Sequence, residues 1–267
     1  MAAPLKNLEI NQIILDIAAE MDAFQVNDLK LRQLGRAIEK QWESKSISPA
    51  EFHMVKGFLA AAKHDRASAI SAVKNALQLA PRDSVIQANA LSVFAIFCCV
   101  YDAIELMERM LTDHPDDKSS LTHIIVHACD FIQYQLASRA LKRYDNLSSQ
   151  AVSEVGPRRS LLMSAPKMAE EHNFTDSDIA DLIQTAVEAV RGEGCEVFRT
   201  SRTHIRDGSL IYNLHVDADT MVCAHLNFDI ADALVEKFED TKNGFITISC
   251  RPFNDMKTMR PLEKETI

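Results

Sequence analysis

The chain has 267 residues, 47% of them apolar but only 6% aromatic, with 7 Gly and 8 Pro and a formal net charge of -9. That length suffices for two domains with a sizeable core, and the scarcity of Gly argues against an all-β fold. Residues 1–150 carry a net -2 and the remainder -7, an acidic balance that disfavours a nucleic-acid partner.

The first ten residues, MAAPLKNLEI, lack the basic start and apolar stretch of a signal peptide, and no apolar run is long enough to span a bilayer. A cytoplasmic location without membrane contact is expected. The six cysteines show no CxxC spacing and read as reduced, buried thiols. Residues 5–46 predict two amphipathic helices. In the first, Leu8, Ile10, Ile13, Ile14, Ile17 and Met21 keep roughly helical spacing. This pair is expected to pack as a terminal cap on the helices beyond residue 48.

From residue 48 a pattern with a fixed period begins. Ser48-Pro49-Ala50-Glu51 supplies a cap serine, a proline at the first helical position and a glutamate to close a capping box. Asp65 is placed to cap the partner helix. Pro81 and Pro115 are 34 residues apart, and Ala69, Ala103 and Ala137 repeat at the same 34. So do Val73, Met107 and Leu141. A small and a large apolar residue at i and i+4 share one helix face, so a neighbouring helix can approach over the first and pack beside the second.

On these residues the stretch from about 50 to 150 resembles the tetratricopeptide repeat family. Gly57, Ala69, Ala76 and Pro81 in the first unit, Phe94, Ala103 and Pro115 in the second, and Ala137 and Leu141 in the third match its pattern. The family's early Trp and Leu are missing, and Met110 and Tyr144 stand where the first unit has Ala76. The resemblance implies a curved stack of helix pairs whose inner wall comes from the first helix of each pair. It would comprise Met54, Phe58, Ala61 and Ala62, then Ala88, Ser92, Ala95 and Ile96, then Thr122, Val126, Cys129 and Asp130. The small, apolar character of this wall suits an apolar peptide or helix of a protein partner. The chain's own segment 159–171 is a competing occupant. His123 and His127, at i and i+4, could present two imidazoles to a metal, but no further ligand is evident.

Residues 149–174 read as a linker with a short helix near 166–172. The stretch TDSD at 175–178 then caps a helix carrying Ile179, Leu182, Ile183, Ala186, Val187 and Val190 as one stripe. Beyond Gly194 the period becomes two. A strand near 195–205, a turn at Asp207-Gly208 and a strand with Leu210, Tyr212, Leu214 and Val216 on one side form a hairpin. Val222, Ala224, Leu226 and Phe228 predict a third strand, Asp229 a cap for a second helix ended by Asn243-Gly244, and FITISC a last strand. The expected order resembles a double-stranded RNA-binding domain, although the acidic second helix speaks against RNA binding.

The fold class expected is therefore multidomain and mainly α. A TPR-like helical array (1–148) and a linker (149–174) precede an α+β domain (175–256) of helix, three-strand antiparallel meander, helix and strand, and a tail (257–267). The function expected is a non-catalytic adaptor or interaction protein without a cofactor, with self-association through the acidic α+β domain as an option. An antitoxin- or immunity-type neutraliser would fit the acidity. The alternative is a small metal-dependent hydrolase centred on His215, Asp217 and His225, with His225 on the strand beside His215.

Overall fold

The computed structural model describes residues 8–22, 27–147, 155–204, 209–239 and 244–253. Among these, eight helices follow one another before residue 148: α1 (Leu8–Asp22), α2 (Asp28–Glu43), α3 (Pro49–Ala62), α4 (Arg66–Leu79), α5 (Ser84–Ile96), α6 (Val100–Asp113), α7 (Lys118–Asp130) and α8 (Tyr134–Leu147). The start of α3 is set by its capping box: the Ser48 N–H donates to Glu51 Oε2 at 2.8 Å and the Glu51 N–H to Ser48 Oγ at 3.2 Å. Asp65, Asp83 and Asp117 cap α4, α5 and α7 through their carboxylates.

The 34-residue period is a period of the backbone as well as of side chains. His64, Cys98 and Ile132 each adopt a positive φ, of 59°, 47° and 58°. Each sits in a turn closed by the same bond one residue on: Asp65 N to Ala60 O, Cys99 N to Phe94 O and Gln133 N to Ala128 O, at 3.0, 2.8 and 2.7 Å. These are the left-handed endings that satisfy the last carbonyls of a helix. They reverse the chain within three residues, so the first and second helices of each pair pack side by side. The repeating alanines Ala69, Ala103 and Ala137 are fully buried, as are Val73 and Met107. The helical array therefore uses the predicted small and large positions in its core.

Most of the expected linker is helical. α9 (Gly156–Glu171) buries Leu162 and Ala165 and packs on α8 and α7. Segment 159–171 thus extends the stack and does not lie in its hollow. The longer helix arises because Pro157 stands in its first turn, where no N–H is needed, while Pro166 is carried in its interior.

The C-terminal part consists of α10 (Asp176–Gly192), β1 (Val197–His204), β2 (Leu210–Val216), α11 (Thr220–Lys237) and β3 (Ile246–Pro252). β1 and β2 are antiparallel, with Ser201 opposite Asn213, as the hairpin reading requires; Asp207 and Gly208 lie outside the described residues. The third meander strand is not formed. Residues 222–228 belong to α11, whose start is capped by Asp219 accepting the Val222 N–H at 2.9 Å. The buried residues there are Cys223, Leu226 and Ile230, a helical spacing that the apparent alternation of Val222, Ala224, Leu226 and Phe228 overlaps. With that strand gone, β3 reaches β2 by a crossover and pairs with it in parallel. The result is a three-strand mixed sheet in the order β1-β2-β3, and the element order likened to an RNA-binding domain does not hold.

Candidate functional site

The two parts meet across the hollow of the array. β1 lies against α5 and α7, anchored by Phe198, whose ring meets His64 edge-on at 4.4 Å and Phe97 at 6.4 Å. Tyr212 on β2 brings its hydroxyl to 3.9 Å from Cys98 Sγ. The sheet thus docks on the turns that repeat along the stack. Phe198 falls at the register shift between Val197 and Arg199, a bulge that lets it point into this contact while the strand runs on.

Between β1 and the array remains a cavity of about 590 Å³, within the range of ligand-binding clefts. Its floor comes from the first helices of the pairs: Phe58 on α3, Ser92, Ala95 and Ile96 on α5, and His127 and Asp130 on α7, continued by Phe131. Ala18 and Met21 of α1 close one side, and Phe198, Arg199, Thr200, Ser201 and Arg202 of β1 the other. Of the wall positions expected from the sequence, Phe58, Ser92, Ala95, Ile96 and Asp130 line this cavity. Met54, Ala61, Ala62, Ala88 and Cys129 are buried, and Thr122 and Val126 are half-buried outside it. The hollow is therefore a bounded pocket, because the chain's own α1 and β1 occupy its flanks.

Nor is the pocket as apolar as its helical wall. Asp130 lies 3.0 Å from the Arg202 guanidinium, 3.8 Å from that of Arg158 and 3.7 Å from His127 Nδ1. His127 is 8% exposed, and neither ring nitrogen has a hydrogen-bond partner among the described residues. Burial pushes its pKa down to about 4, Asp130 opposing the shift and His123 and Arg158 adding to it. The imidazole facing the pocket is neutral at pH 7, with hydrogen-bonding capacity to offer. The His123 ring stacks on it at 6.3 Å.

The chain matches no protein-family model, no curated protein and no solved structure.

Across the sheet, Ser201 Oγ lies 2.8 Å from Nε2 of the buried His215, and Asn213 and Ser249 extend this polar line through Asn213–Ser201 and Ser249–Asn213 bonds of 3.4 and 2.8 Å. The expected grouping of His215, Asp217 and His225 fails on one point of geometry. His225 is exposed on α11 and not on a strand beside His215, while Asp217 is exposed just beyond β2. Among the described residues no three His, Cys, Asp or Glu side chains stand together as metal ligands. Sequence reading missed the β1 contribution altogether, since docking of a strand on a distant helix pair leaves no local periodicity. The signals that fell on the pocket were the five wall positions and His127 of the i, i+4 histidine pair.

Proposed function

We propose that this chain is a binding protein of the tetratricopeptide-like helical-repeat type that holds an extended segment of a protein partner in the cleft between α5, α7 and β1. The observation that carries the reading is that five consecutive residues of β1, Phe198 to Arg202, line one pocket. Alternate side chains of a strand point to opposite faces, so five in a row face a common space only if the strand's edge is turned toward it. β1 is an edge strand of the three-strand sheet. An extended peptide laid there gains main-chain hydrogen bonds, while the pocket reads its side chains. Of the peptide or helix expected from the sequence, an extended peptide is the occupant that an edge strand can pair with. Phe58, Ala95 and Ile96 favour an apolar side chain, and Arg199 and the neutral His127 favour acceptor groups beside it.

A displayed library of random hexapeptides, selected on the full chain, provides the probe. Ala95→Trp, which places an indole in the cleft at a half-buried position, is expected to weaken selected peptides by about tenfold or more. Peptides that bind this variant as well as the original chain would refute the location.

A further inference from the structure

The outer face of α11 carries apolar residues that the fold does not use. Met221, Phe228 and Val235 are 68%, 71% and 72% exposed, and they recur every seven residues. Ala224 and Ala231, also exposed, fall between them. The spacing is that of the two apolar positions of a heptad, which form one stripe along a helix. This stripe lies beside the buried face of α11. On that side Asn227 and Leu234 border a groove of about 210 Å³, whose lining includes Leu182 of α10, Ile230 and Ala231 of α11, and Ile246 and Ile248 of β3. On the other side stand His225 and Asp232.

We infer that this face is the interface of a symmetric dimer, in which α11 of one copy packs antiparallel on α11 of another. Three features of the helix select a second copy as the occupant. The stripe is complementary to itself: in an antiparallel pair with Phe228 facing the partner's Ala231, Ala224 faces the partner's Val235, so each layer sets a large residue against a small one. The partner's Phe228 then stands over Ala231, on the rim of the groove between α11 and β3, which offers it an apolar hole. Both copies make the same insertion, as a two-fold axis requires. Charge selects the same direction. Of the residues that flank the stripe, His225 lies in the N-terminal half of α11 and Asp232 in the C-terminal half, while Asp229 and Glu236, with Lys237 beside them, lie off the stripe and Asp219 caps the helix start. Antiparallel packing sets the His225 ring beside the partner's Asp232, an acceptor; parallel packing would oppose Asp232 to Asp232. The alanines let the two helices approach closely, which compensates for a stripe of only two heptads.

Sedimentation velocity of the full chain, from about 1 to 200 µM, spans the micromolar range expected of an interface at the small end of specific contacts. It is expected to show a dimer that forms with concentration. Phe228→Asp and Ala231→Glu change exposed positions and should leave thermal unfolding of the monomer in place, while each raises the dissociation constant by about tenfold or more. Direction is read by mild oxidation. Copies carrying Ala224→Cys mixed with copies carrying Val235→Cys should cross-link to each other, whereas Ala224→Cys alone should not. A chain that stays monomeric throughout, a dimer indifferent to both substitutions, or a cross-link between two Ala224→Cys copies would each overturn the proposal.

Discussion

A single side chain in this cleft makes the stability of the fold depend on pH. His127 is buried in α7 without a hydrogen-bond partner among the described residues, and burial pushes its pKa down to about 4, against about 6.5 in the unfolded chain. The unfolded state therefore takes up a proton below pH 6.5 that the folded state refuses until about pH 4. The stabilisation owed to the neutral ring is complete above pH 6.5 and is lost as pH falls through that window, by about 3 kcal/mol in all. His127→Phe removes both the titration and the unsatisfied nitrogens. Urea unfolding at pH 7 and pH 4.5 should find the variant at least as stable as the original chain at the higher pH, and ahead of it by a further ~2–3 kcal/mol at the lower. Parallel curves for the two proteins would mean that the imidazole is solvated after all. The same variant should bind selected peptides less well, because Phe offers nothing for an acceptor or donor to meet.

At the scale of elements, the helices were legible where the sequence carries both a cap and a period. Ser48 and Glu51, Asp65, and Thr175 with Asp178 all sit where their side chains bond the first turns of α3, α4 and α10. The stripe from Ile179 to Val190 is buried as a unit. The error at 222–228 has a physical cause. Over seven residues, alternation and helical spacing share positions, and the exposed stripe of Met221, Ala224 and Phe228 put apolar side chains on the outer face where a surface helix ordinarily shows polar ones. The feature that misled the reading is the one that gives α11 a surface for another copy. Within the array, Gly57 marks where the period is least strict. A Cβ there would lie 2.7 Å from Val73 Cγ1 and 3.4 Å from the Ala69 carbonyl oxygen, so α3 approaches α4 over a glycine. The same position in the next two pairs is Leu91 and Ile125, both buried. Restoring the bulk with Gly57→Leu should therefore destabilise the chain, by about 1–3 kcal/mol in chemical denaturation. Adding Val73→Ala should recover part of that loss; a Gly57→Leu chain as stable as the original would show that the two helices can move apart at no cost.

Along the side of the array, α10 joins the helical part to the sheet-bearing part through contacts with α6 and α8. Its first residue, Asp176, accepts the Gln135 and Leu136 N–H groups at 3.1 and 3.0 Å, and so caps α8 from another element. Gln133 Nε2 donates to the Asp176 carbonyl at 2.9 Å. Further along, the Tyr101 hydroxyl donates to Asp181 at 2.6 Å, and Arg191 at the end of α10 donates to the Phe97 carbonyl at 2.7 Å. Each of these contacts falls at a turn of the array or beside one. The sequence predicted two domains because helical period gives way to strand period near residue 195, and a change of period says nothing about how firmly two parts are joined. The cleft depends on this joint, since α10 leads directly into β1. Removing the cap with Asp176→Ala should cost about 1–2 kcal/mol. It should also raise hydrogen exchange selectively at Gln135, Leu136 and the first turn of α10, leaving α3 and α4 as protected as before. Asp176→Asn should behave nearly as the original chain. Burial raises the pKa of the Asp176 carboxyl in spite of the backbone donors around it, so part of what the charge contributes as an acceptor is offset by its desolvation, and a neutral amide oxygen avoids that cost. If peptide binding in the cleft falls with Asp176→Ala and not with Asp176→Asn, the position of β1 over α5 and α7 is set by this cap; equal binding by both variants would leave Phe198 and its ring contacts as the determinant.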